Sequence, residues 1–455
     1  MNSELQFNNM LDLAQPSIGM RLLLALRQAG PSVLLVVAGV VSAQQSTTLP
    51  AASAASTTAV SAPAAALVYS LDDLLLLARR DSFALQSARA QALAGRAGVT
   101  TAAAYPNPEV ELQGASFRAR APGVAGGSGS ALSLTQRIES PALRGARMAS
   151  AVAGAQVGEI NVWVVENNLV ADIKTRFFET LRREEALDAA REDLALTEQI
   201  RERIRVRART GEAPRFDLIR ADNEVALAQR EVLRSSARVI EARASLKQIV
   251  SPALPADFRV AGDFYRRTPR ADYAGLRDAV LAANPELKRA LAEVARAEQQ
   301  LEVERRQVLP SVQLRLVSES EPELRSLRGG VVLSVPLWDR RRGPIDEARA
   351  QAIRSRSESE SRRFSLVQGF EVGWQQYQAA LASVQALEGG ILQQARTVVD
   401  IAEAAYRFGE RGILEYLDAR RQFRALRGDL ITARFELHAA KAELERLAAI
   451  DIKGE

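Results

Sequence analysis

The sequence predicts a mainly α-helical protein with a membrane β-barrel portion, built as an internal two-fold repeat. Three observations carry the prediction. A helix–glycine–helix hairpin occurs twice: Gly211 falls on Gly409 and Asp217 on Glu415, and the register holds to Ile249 against Leu447. Four short segments alternate apolar and polar residues, two ahead of each hairpin. Between strand pairs and hairpins run helical stretches far longer than a globular domain needs.

Composition narrows the function classes. The 455 residues carry 60 basic and 55 acidic side chains. Arginine and glutamate intermix along helical stretches, the pattern of solvated helix faces and not of a nucleic-acid patch. No cysteine is present, which excludes disulfides, thiolate metal sites and a lipid-modified N-terminal cysteine. The single histidine, His438, has no partner ligands in sequence, and no metal or cofactor site is expected. Catalysis needs groups converging on a pocket, and no such constellation is present, so the chain reads as a non-enzyme.

Residues 1–43 read as a signal peptide. Arg21 and Arg27 precede the apolar run Val33–Val41, and Val41-Ser42-Ala43 offers small residues for cleavage. Met20 opens a signal of ordinary length and is a possible true start. Residues 44–70, rich in Ala, Ser, Thr and Pro, form a flexible lead. The first repeat spans 71–250, a linker 251–273, the second repeat 274–450, and a tail 451–455.

Each repeat opens on a broken helix, Leu71 to about Ala104 with a break at Asp81-Ser82-Phe83, and Ala274 to Val308 with a break at Asn284-Pro285-Glu286. Pro108 and Pro310 then open the strands. In the first repeat these are 109–113 and 131–136 around a loop at 118–130. In the second they are 312–316 and 331–335 around a polar loop at 319–328. Period-two alternation gives one apolar and one polar face, which suits a barrel with a polar interior. Leu134 and Leu333 are predicted to face lipid. Trp338, at a strand end, suits either an interface belt or packing. Four strands cannot close a barrel in lipid, so the chain is expected to oligomerise.

Leu143 to Thr210 contains no proline, and neither does anything after Pro344. Each stretch predicts a helix of coiled-coil pattern, with Ile160, Trp163, Val164, Leu169, Ile173, Phe177 and Leu181 at spacings of three and four. The stretch Ala404 to Phe423 closes the second hairpin, with turns at Gly409 and Gly412. Gly211 closes the first.

Several stretches together resemble the TolC family of outer-membrane efflux channels, most of all its CzcC/CusC-like heavy-metal branch. They are Asn107-Pro108-Glu109-Val110-Glu111-Leu112, Leu134-Thr135-Gln136-Arg137-Ile138-Glu139 followed by Arg144-Gly145-Ala146-Arg147, Val335-Pro336-Leu337-Trp338-Asp339-Arg340, and Tyr406, Gly409 and Leu417-Asp418-Ala419 at the hairpin. The resemblance runs from Leu71 to Leu447. It implies a homotrimer with four strands per subunit in a shared twelve-stranded barrel, and a long α-helical periplasmic tunnel. It implies residence in the outer membrane of a Gram-negative bacterium. The partners would be a periplasmic adaptor (membrane fusion protein) and an inner-membrane resistance-nodulation-division pump. By position, it makes Glu415 and Asp418 a pore constriction, and Asp217, Tyr406 and Arg411 links that hold the gate shut. The function so implied is a passive exit duct for divalent heavy-metal cations. Drug or organic-solute efflux or protein secretion is the alternative, and a periplasmic adaptor or structural coiled coil is the rival outside the channels.

Overall fold

Local capping explains where each repeat begins. The Ser70 hydroxyl accepts from the Asp73 N–H, and the Asp73 carboxylate accepts from the Ser70 N–H, a reciprocal cap that starts α1 (Leu71–Asp81). The chain breaks at Ser82 and resumes as α2 (Phe83–Ala103). In the second repeat Asp272 caps α5 (Tyr273–Ala283) and Asn284 caps α6 (Pro285–Arg306). These features belong to a computed structural model that describes residues 67–118, 123, 126–265 and 272–451. The predicted signal peptide, the lead up to residue 66 and the tail beyond 451 lie outside the described residues.

A three-residue strand, β1 (Val68–Ser70), pairs in parallel with β4 (Arg259–Ala261). Neither segment carries a period-two signal, so the pair is invisible in sequence. The linker around β4 buries Leu254, Phe258 and Phe264 in the core of the first repeat.

The larger sheet is antiparallel in the order β2 (Glu109–Phe117), β3 (Gly127–Ile138), β5 (Ser311–Ser320), β6 (Arg325–Ser334). The two hairpins therefore meet at β3–β5. All four strands outrun the predicted segments, and the second loop shrinks to residues 321–324. The reason is backbone pairing: Gly127 to Ser130 pairs with Ser116, Phe117 and their neighbours whatever side chains they carry. Gly129 has no room for a side chain, since a Cβ there would sit 2.5 Å from the Phe117 ring.

Residues directly paired across strands share a face. One face gathers Val110, Leu134 and Leu316 in one row and Ile138, Val312 and Leu333 in another. The opposite face carries Glu111, Ser133, Arg315 and Arg328. Leu134 and Leu333 thus lie on a single exposed apolar face, backed by a polar one.

Beyond the strands, α3 (Pro141–Arg209) is one helix of 69 residues, about 100 Å at roughly 1.5 Å per residue. It turns at Gly211 into α4 (Arg215–Val250). The predicted stripe on α3 is buried at Val164, Leu169, Ile173, Phe177 and Leu181, but Trp163 is exposed. The second repeat departs from its copy. The helix α7 (Arg342–Ala386) meets a π turn at Leu387–Ile391 before α8 (Leu392–Arg407) and α9 (Ile413–Ala448). The predicted unbroken helix is corrected here: Gly390 has φ 153°, a conformation closed to ordinary side chains.

Matching contacts bind the start of each repeat to its end. The Ser251 hydroxyl donates to Asp81 at 2.9 Å in the first, and the Asn284 side-chain amide donates to the Leu447 carbonyl at 2.9 Å in the second.

Candidate gate at the hairpin tips

Both hairpins turn in the same way. Gly211 and Gly409 sit at φ 79° and 76°, where a Cβ would be strained. The Glu212 N–H donates to the Arg207 carbonyl at 2.8 Å, and the equivalent Glu410 N–H to Ala405 at 2.9 Å. Gly412 has extended backbone and caps α9. The duplication read from the glycines is therefore a duplication of hydrogen bonds.

An apolar plug joins the two hairpins: Ile200, Ile204 and Ala221 from the first, with Ile413, Tyr416 and Leu417 from the second. Tyr406 stacks on Tyr416 with centroids 6.2 Å apart, and the Arg207 guanidinium lies 5.2 Å over the Tyr406 ring. Burial pushes the Tyr406 phenol above its ordinary range, with Arg207 opposing and Asp217 adding to the shift. Among the described residues the Tyr406 hydroxyl is buried without a hydrogen-bond partner, and Asp217 on the other repeat acts on it through charge alone.

In the single chain the Arg411 guanidinium is 2.5 Å from Glu415 on its own hairpin, and the predicted pairing with Asp217 is corrected. Adjacency explains the choice, since four helical residues bring the two side chains onto one face. Glu415 and Asp418 are both exposed and share a helix face as expected. Each has an arginine beside it: Arg411 for Glu415, and Arg421 at 3.3 Å for Asp418. The acids at the tip are partly compensated.

The contacts that hold the two repeats together lie further along α9 and were not foreseen. Arg420 and Arg424 donate to Asp193 of α3 at 2.8 and 2.7 Å, Arg421 reaches Glu224 of α4, and Arg427 pairs with Glu192 at 2.6 Å. Asp193, Arg420 and Glu224 are largely buried, where such pairs fix geometry. The signal was present as arginines at i, i+1, i+4 and i+7 of one helix, the spacing of a single face. At the π turn, Arg434 pairs with Glu388 and lies 4.6 Å over the Tyr265 ring. Burial raises the Tyr265 phenol to about 12, reinforced by Glu185. His438 stacks on Phe178 at 3.9 Å and its Nε2 lies 3.2 Å from the Phe264 carbonyl. Burial lowers it to about 4, so it stays neutral and can donate to that carbonyl. Among the described residues, no group of three or more His, Cys, Asp or Glu is placed to hold a metal ion.

A four-stranded antiparallel sheet, a helix about 100 Å long and paired hairpins make up a fold shared with solved outer-membrane channels. Residues 276–449 match the family described as "Outer membrane efflux protein". The chain is 24% identical over 354 residues to the cobalt-zinc-cadmium resistance protein CzcC of Cupriavidus metallidurans, covering 77% of this chain and 83% of that protein. It superposes on CusC with a TM-score of 0.73 at 17% identity, covering 83% of this chain and 91% of that one. A membrane protein from Pseudomonas aeruginosa gives a TM-score of 0.74 at 18% identity, covering 83% and 92%.

Proposed function

We propose that this chain is the outer-membrane channel of a tripartite resistance-nodulation-division efflux system, a passive duct for small solutes. Three copies would complete the sheet. Among the described residues the outer edges of β2 and β6 are unpaired, and in lipid such edges must be paired. That pair of open edges beneath an apolar face is the observation that carries the reading. A periplasmic adaptor would dock at the hairpin tips, and the inner-membrane pump would supply the energy. Glu415 and Asp418 would set the charge at the constriction, with Asp217 and Tyr406 among the contacts at the closed tip.

The cargo follows from charge and not from coordination. The fold is shared with outer-membrane channels such as OprN, and the duct suits solutes in general, organic compounds included. Divalent cations are the second reading, favoured by the acidic tip and by the CzcC relative. The testing experiment is fractionation and crosslinking, followed by growth of a deletion strain on metals and on organic toxicants. A crosslinkable trimer in the outer membrane is expected, and a soluble periplasmic monomer would overturn the channel. Sensitivity confined to metals would select the second reading.

A further inference from the structure

Between the plug at the tips and Tyr265 of the linker, a cavity of about 1090 Å³ opens among α3, α4, α8 and α9. This lies at the upper end of small-molecule sites, but its walls are charged. Nine arginines and six carboxylates line it. The pairing inside is uneven, because Asp193 alone serves both Arg420 and Arg424. Glu231 is drawn away to Arg234, and Arg230 and Arg238 of α4 and Arg396 of α8 have no carboxylate within ion-pair distance among the described residues. The Arg420 Nη1 is buried and finds no acceptor at hydrogen-bond geometry, although its charge reaches the Tyr416 hydroxyl. A buried donor left without a partner is costly and calls for one.

We propose that this cavity binds a multivalent oxyanion, a polycarboxylate or polyphosphate, between Arg230 and Arg238 on one wall and Arg396 and the free Arg420 Nη1 on the other. Planar guanidinium forks match carboxylate and phosphate oxygens two at a time. The helices α4 and α9 run in the same direction from their hairpins. Six residues beyond the Arg421–Glu224 contact, Arg230 stands level with Arg427, and both line the cavity. Bound there, the anion ties α4 to α8, which has no buried residue of its own. A cation meets repulsion in the same space. The site does not depend on the duct reading.

The test uses the full-length protein in detergent, with pyrophosphate and citrate as separate probes and chloride adjusted to constant ionic strength. Titration calorimetry is expected to show saturable binding at one site per chain. The variant R230Q/R238Q/R396Q should weaken it about tenfold or more, and R354Q on α7 should leave it unchanged. In the wild-type protein, either probe should protect Arg230, Arg238 and Arg396 from phenylglyoxal, read by peptide mapping. No saturable binding at matched ionic strength, equal affinity in the triple variant, or protection confined to arginines outside the cavity would overturn the site. The mapping needs no variant, so a folding defect cannot mask the answer. Channel recordings are independent of both measurements.

Discussion

Glu224 of α4 accepts from Arg421 of α9 while only 8% of its side chain is exposed, so a nearly buried carboxylate on one repeat rests on an arginine from the other. Removing one member of such a pair leaves the other uncompensated. Arg421 is itself 43% exposed, which lets water soften the loss. Arg421→Ala is expected to destabilise the protein by about 1–3 kcal/mol, and adding Glu224→Gln should recover most of it. Thermal melting of the four members of the cycle checks the coupling; additive losses would show that the pair is inert.

The pairing of Arg411 with Glu415 changes what its loss should do. Arg411→Ser frees a carboxylate and is expected to increase cation preference, while E415Q/D418N should reduce it. Reversal potentials across a salt gradient in planar bilayers separate the two directions. Identical selectivity in both variants would take these residues away from the constriction.

Much of this was legible from residue order alone. Turn glycines, prolines and period-two strands are local signals, and the hairpins, helix breaks and strand positions followed from them. The cross-repeat contacts were not legible, because Asp193 and Arg420 meet only when four helices pack. Nothing local marks Arg411 for Glu415 over Asp217 except adjacency, and adjacency won. The π turn was hinted at by Gly389-Gly390, but the first repeat has no glycine pair there to warn that the copies diverge.

His438 gives the protein an acid sensitivity whose sign is fixed by burial. Its pKa is lowered from 6.5 to about 4, so the unfolded chain takes up the proton first as pH falls. Stability from this group is complete above about pH 6.5 and is lost as pH falls toward about 4, roughly 3 kcal/mol in all. The melting temperature should drop between pH 7 and 5, and His438→Gln should flatten that drop. An equal slope in the variant would assign the effect elsewhere.

The π turn separates two neighbouring glycines. Gly390→Ala forces a side chain into φ 153° and is expected to cost about 1–3 kcal/mol. A Cβ at Gly389 meets nothing within 4 Å, so Gly389→Ala should be neutral or slightly stabilising. Hydrogen exchange across α8 would register the first change and not the second. Equal behaviour would mean the turn relaxes freely.

Asn284 is 1% exposed; it caps α6 and also holds the Leu447 carbonyl. Asn284→Ala removes both and is expected to cost about 2–3 kcal/mol, measurable by denaturant melting. A loss below about 0.5 kcal/mol would show that the carbonyl is resatisfied by water.

The same contact, with its counterpart between Asp81 and Ser251, has a consequence for how the chain could be divided. Each repeat is stitched where it starts to where it finishes, so each is a loop that closes on itself. A break in the connecting segment would sever no stitch. Two separate polypeptides, one carrying each repeat, should therefore reassemble by fragment complementation into the same fold.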